Sequence, residues 1–273
     1  MSEDEPKDRG ARVLGRYEVM MGEHVTPVLR ELGFTGTARK HVMRRGSAFG
    51  VLAWQKDSRF YRYGQVQFTA NMNWWCGSGR IGELIPVQTP DTWWKVTSEV
   101  PADVVARSVL TAVRCFALPA VLAGLEDPAP QPDDPAMRSP WAADEPDCGG
   151  ADRSAWFVQA AGTRDDPSFA DLASAEPGTR LDAAYGAVAA EGDRRTVPAL
   201  LDRLERDPDP AVRKIIASRM LTRLGHDPHV RPALRRAAAE DSHAGVRWAG
   251  RYALHVIDIP DLDTAIAAAT ACE

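Results

Sequence analysis

Pro198-Ala199-Leu200-Leu201, followed by Asp207 and then Val212-Arg213, returns as Pro232-Ala233-Leu234-Arg235, followed by Asp241 and then Val246-Arg247. Every matched position is 34 residues from its copy. A weaker copy stands one period upstream, where Thr179-Arg180 opens the run Leu181 to Ala190 without the valine. A period of roughly 20–50 residues built from two amphipathic helices implies an all-α solenoid. One helix pair cannot bury its apolar face alone, so it stacks on the next.

Upstream of the repeats the composition changes. Glu126 to Glu176 holds twelve acidic residues against three arginines, with frequent proline and glycine. Such a stretch has too little apolar surface to offset the entropy of ordering, and reads as a linker or a loosely packed excursion. The repeats have the opposite balance: Arg194 to Arg251 carries thirteen Lys or Arg and seven Asp or Glu.

Further upstream the period changes twice. Leu14, Tyr17, Met21, Val25, Val28 and Leu32 recur every three or four residues, a helical stripe that Gly33 ends and Pro27 divides or kinks. Lys40 to Arg45 and Phe49 to Gln55 read as strands around Gly46-Ser47. Val66, Phe68, Ala70, Met72 and Trp74 then alternate with Gln67, Thr69, Asn71 and Asn73, giving a strand with one apolar and one neutral polar face. Ile81 to Val87 and Thr92 to Thr97 are expected to add strands. Pro101 opens a helix to about Leu125, with a break expected at Pro119.

The expected organisation is a disordered tail (1–10), an α+β domain of helices packed on an antiparallel sheet (11–126), an acidic proline-rich linker (127–166) and helical repeats (167–273).

The run from Asp207 through Val212-Arg213 to Met220, and its copy from Asp241 through Val246-Arg247 to Leu254, resemble the HEAT repeat. The resemblance implies that Asp207 and Asp241 cap the second helix of each pair and that Arg213 and Arg247 bond to neighbouring repeat loops, all structural roles. Leu29-Arg30-Glu31-Leu32-Gly33-Phe34, Trp54-Gln55-Lys56, Phe68-Thr69-Ala70-Asn71, Arg80-Ile81-Gly82 and Asp91-Thr92-Trp93-Trp94 follow the order seen in a bacterial domain of unknown function, DUF 4304. That resemblance, over Glu18 to Leu125, implies a fold and no site.

The formal net charge is −5, so no global field draws nucleic acid or anionic membrane. No uninterrupted apolar run reaches membrane-spanning length, and the acidic start Met1 to Pro6 lacks the apolar core of a signal peptide. Cys76, Cys115, Cys148 and Cys272 are scattered, as reduced thiols in a cytoplasm would be. No catalytic motif is present, and no cofactor or metal is expected. His226-Asp227-Pro228-His229 could give two metal ligands, but sits where a turn between repeats needs helix-start residues.

Three sets of binding candidates remain. The polar strand face, Gln67, Thr69, Asn71 and Asn73, is either solvated or a grip for a peptide or polar small molecule. Of the pairs Trp74-Trp75 and Trp93-Trp94, one member each should enter the core, leaving Trp75 and Trp93 as interface candidates. Arg213, Arg235 and Arg247 are the cations expected in a repeat groove. The acidic linker itself is a competing occupant of that groove. The leading expectation is a non-enzymatic bacterial protein-interaction module of immunity or regulatory type. Nucleic-acid binding through the basic repeats is the alternative, followed by an enzyme that uses Cys76, His41 or Asp91 of the α+β domain.

Overall fold

A computed structural model describes residues 6–46, 48–74, 77–85, 93–126, 169–189 and 195–270 of the chain. They form two compact units.

The first unit begins with α1, Pro6–Val19, which starts inside the segment expected to be a tail. Pro6 fits a first helical turn, where its missing N–H has no partner to lose. The helix runs through a widened, π-type turn at Met20–Val25 into α2, Thr26–Glu31. Pro27 can neither donate to the residue four back nor clear its carbonyl, and the wide turn absorbs that mismatch without ending the helix. The same device recurs at the other proline. α4, Ala102–Ala112, passes through a wide turn at Val113–Ala117 into α5, Leu118–Leu125, so the break expected at Pro119 is absent. This run, Ala102–Leu125, is 24 residues long, and its most apolar 18-residue window, of mean hydropathy 1.8, is 61 % buried. It is long and apolar enough to cross a membrane by length and composition alone, and its burial is that of a core helix.

Six strands make one antiparallel sheet: β1 Thr35–Thr37, β2 Lys40–Arg45, β3 Ala48–Asp57, β4 Gln65–Trp74, β5 Gly77–Arg80 and β6 Trp94–Thr97. The order is β1-β2-β3-β4, and β5 and β6 share the far edge of β4, pairing with its second and first halves. The strand expected over 81–87 is instead a single helical turn, α3, Ile81–Leu84, whose Ile81 and Leu84 are buried. β1 and a tight turn at Ser58–Tyr63 went unread, because three residues of Thr and Gly and a six-residue turn carry no periodicity.

One face of the sheet holds the core. Phe68 meets Tyr17 of α1 edge-on at 5.0 Å and Trp94 of β6 at 5.7 Å. Gly50 lies on this face, and a side-chain carbon there would collide with Val121, so α5 rests directly on the β3 backbone. The final helix, Leu262–Thr270, also belongs to this unit and packs on α4. The repeats, expected to run to 273, therefore stop before it. Its alanine-rich pattern looks like one more repeat helix, yet Ala269 O accepts from both Trp94 Nε1 at 3.2 Å and Ser108 Oγ at 2.9 Å.

The second unit contains, after a turn at Phe169–Ala173, α6 Pro177–Ala189, α7 Thr196–Arg206, α8 Pro210–Ile215, α9 Leu221–Arg223, α10 Val230–Glu240 and α11 Ala244–Ile257; the closing Leu262–Thr270 helix of the first unit is α12. A wide turn at Ile216–Met220 joins α8 to α9 as one helix. The helical hairpins α7/α8–α9 and α10/α11 repeat the 34-residue period, and α6 supplies the second helix of an earlier copy. Leu200, Val212, Ile216, Leu234, Val246 and Val256 are wholly buried between the helices. The acidic linker, 127–166, lies outside the described residues.

Candidate functional site

A ladder of arginine–aspartate pairs runs through the repeats. Arg180 donates Nε and Nη2 to the two Asp207 carboxylate oxygens at 2.7 and 2.8 Å. Arg213 does the same to Asp241 at 2.9 and 3.0 Å. Each arginine also reaches back six residues to a backbone carbonyl: Arg180 to Ser174 at 2.8 Å, Arg213 to Asp207 at 2.7 Å and Arg247 to Asp241 at 2.9 Å. The copy without the valine is thus a full rung, with Ser174 standing where later repeats have aspartate.

The ladder corrects two sequence expectations. Asp207 and Asp241 are not the N-caps of the second helices. They close the preceding helices, and each takes the amide two residues on, from Asp209 at 3.0 Å and His243 at 2.8 Å. The N-caps are Asp209, which accepts from Ala211 N at 2.7 Å, and His243, whose Nδ1 accepts from Gly245 N at 3.2 Å. Second, Arg213 and Arg247 are not available groove cations, because their guanidinium groups tie repeats and loops together. Of the three arginines named from sequence, only Arg235 stands exposed on a first helix.

The positive charge of the repeats is unevenly placed. First-helix arginines sit beside carboxylates: Arg203 and Arg206 on Asp202 at 2.6 and 3.0 Å, Arg231 on Asp258 at 2.5 Å, and Arg236 on Glu205. The second helices of the two in-register repeats contain no acidic residue, whereas α6, the second helix of the earlier copy, carries Asp182. Pro210 to Arg223 carries Arg213, Lys214, Arg219 and Arg223, and Ala244 to Ile257 carries Arg247, Arg251 and His255. Arg219 and Arg223 stand one turn apart. Lys214 Nζ lies 5.5 Å from the centre of the Trp248 ring, which stacks on Tyr252 at 5.4 Å with the planes 3° apart. The missing carboxylates were visible in the sequence; the overall count hid them.

The polar strand face is real, and its members differ. Gln67 and Asn71 are half-buried, Asn73 is exposed, and Thr69 is buried at 1 % exposure. Asn71 Nδ2 donates to Gln55 Oε1 on β3 at 2.8 Å. Trp93 is half-buried just ahead of β6, and Trp94 fills the core as expected; Trp75 lies outside the described residues. So do Cys76 and Asp91 of the enzyme alternative. His41, the third member of that set, is fully buried on the core face, where its Nδ1 accepts from Trp54 Nε1 at 3.2 Å. Burial, then the nearby Arg30 charge, pushes its pKa down to about 4, so the ring is neutral at ordinary pH. At the inter-repeat turn, Asp227 takes the His229 amide at 2.8 Å and contacts its ring at 3.1 Å, as a turn-forming residue does.

Residues 166–255 match the HEAT repeats family. The match starts ahead of Arg180, consistent with the extra rung, and ends before the helix that packs on α4. No curated protein and no solved structure matches the chain. HEAT repeats point to an interaction or scaffolding module and to a protein partner.

Proposed function

We propose that this chain is a non-enzymatic scaffold of the bacterial cytoplasm, and that the second helices of its repeats hold an acidic surface of a partner protein. A regulatory or immunity role, in which the partner is masked, is the setting that suits such a scaffold. The observation behind the reading is charge segregation. Arg203, Arg206, Arg231 and Arg236 of the first helices lie beside carboxylates, while the second helices of the two in-register repeats carry seven basic residues and no acidic residue in their own sequence, Arg213 reaching Asp241 of the following loop. The Arg–Asp ladder supports it by fixing successive second helices in one register, which lowers the entropy lost on binding.

Fluorescence anisotropy of the full chain tests this, with a labelled glutamate-rich peptide and a DNA oligonucleotide of equal charge as probes. The expected result is salt-sensitive peptide binding that weakens about tenfold or more in Arg219→Glu/Arg223→Glu. Tighter binding of the DNA, with a steep salt slope that the same variant flattens, would replace this reading with nucleic-acid binding.

A further inference from the structure

The sheet of the first unit has a second face. Contacts from α1, α4, α5 and α12 reach Phe68, Trp94 and Gly50, all on the core side. Strand register assigns the opposite side. Lys40, Ala53, Asn71 and Arg80 form one row across β2, β3, β4 and β5. Gln67 and Lys95 are neighbours in the row four residues earlier along β4, and Arg44 pairs with Phe49 about four residues later. Lys40 and Arg44 are exposed, and Arg80 and Lys95 are half-buried.

The pattern has three parts. A central row of amides, Gln67, Asn71 and Asn73, carries both donors and acceptors, as a peptide group does. Cations flank it on both sides, Lys40 and Arg44 toward β2, Arg80 and Lys95 toward the far edge. The cation rows repeat every four residues, about 14 Å along an extended strand. The face's single carboxylate among these strands' described residues, Asp57, is bonded to Arg59 at 2.5 Å.

We propose that this face is a docking site for an extended, acidic segment of a partner protein, with carboxylates spaced about four residues apart. The amides bond the segment's backbone, and the cation rows receive its carboxylates on alternate flanks. Single-stranded nucleic acid fits less well. Sequence-tolerant binding of bases needs several aromatic platforms; the strands themselves place only Phe49 on this face among the described residues, with Trp93 half-buried just ahead of β6 and about six residues distant along the sheet. This site is separate from the second-helix surface proposed above and stands or falls without it.

The test uses the full chain and a labelled dodecapeptide, rich in Ser, Thr and Val, with aspartates at four-residue intervals. Its controls are a peptide of the same composition with contiguous aspartates and an oligothymidylate of matched length. The spaced peptide should bind best, and should lose about tenfold or more in Lys40→Glu/Lys95→Glu while Arg219→Glu/Arg223→Glu leaves it within about twofold. In the unsubstituted protein, the side-chain amide NMR signals of Gln67 and Asn71 should shift on addition of this peptide. No binding at low salt, equal binding of both peptides, loss in the Arg219/Arg223 variant instead, or preferential oligothymidylate binding would each overturn the proposal.

Discussion

Arg180 and Asp207, from consecutive repeats, form a two-bond ion pair with side chains 4 % and 0 % exposed. Hydrogen bonding to Asp207 holds the guanidinium above its usual range, so Arg180 keeps its charge. Each half satisfies the other away from water, and the next rung, Arg213 with Asp241, is slightly more open at 12 % and 11 %.

Removing one partner leaves a buried charge alone. Arg180→Ala is expected to cost the repeat unit about 3–5 kcal/mol, and Arg213→Ala less, because water can reach its partner. Urea unfolding followed by circular dichroism measures both. Adding Asp207→Leu to Arg180→Met should recover part of the loss. Equal losses at the two rungs would argue against burial as the source.

His41 sets a pH dependence. Its folded pKa of about 4 lies below the ordinary 6.5, so the unfolded chain takes up the proton first. Stability from this group is complete above about pH 6.5 and is lost as pH falls toward 4, by about 3 kcal/mol in all. Substituting His41→Gln should flatten the thermal midpoint between those pH values. A wild-type midpoint that rises on acidification over that range would contradict the assignment.

The closing helix holds the α+β core. Ser108 Oγ and Trp94 Nε1, themselves 3.0 Å apart, both point at Ala269 O. Truncation after Pro260 should expose Trp94, shift tryptophan emission to the red and lower the melting temperature of this unit. Ser108→Ala, which leaves the indole its carbonyl partner, should cost only about 1 kcal/mol. Unchanged emission in the truncated chain would show that the helix is dispensable.

Gly250 lets α10 and α11 approach closely. A side-chain carbon there would lie 2.8 Å from Ala238 N and 2.9 Å from Leu234 O, both backbone atoms that cannot swing away. Gly250→Ala should therefore destabilise the last hairpin by about 1–3 kcal/mol, despite alanine's better helix propensity. Gly178→Ala, where nothing lies within 4 Å, should be neutral or slightly stabilising. Chemical denaturation of the two variants gives the comparison.

Periodicity decided what it could reach. The 34-residue repeat fixed the hairpins and the Asp207/Arg213 and Asp241/Arg247 matches, and alternation over Val66 to Trp74 fixed β4 and its two faces. Both signals are local, arising from which side of a helix or strand each side chain leaves. Short or exceptional pieces escaped, because Thr35–Thr37 is too brief for a period and Pro27 and Pro119 look like breaks unless a wide turn absorbs them.

Partners distant along the chain were decided by tertiary structure alone. Whether Arg213 is a groove cation or a rung depends on Asp241, 28 residues away, and whether Leu262–Thr270 continues the repeats depends on Trp94, 175 residues from Ala269. The polar row at Gln67, Asn71 and Asn73 was legible from β4. The cations beside it became a pattern only once register set Lys40, Asn71 and Arg80 in line. Sequence spacing specifies the face a residue leaves from, and only the packed chain specifies what that face meets.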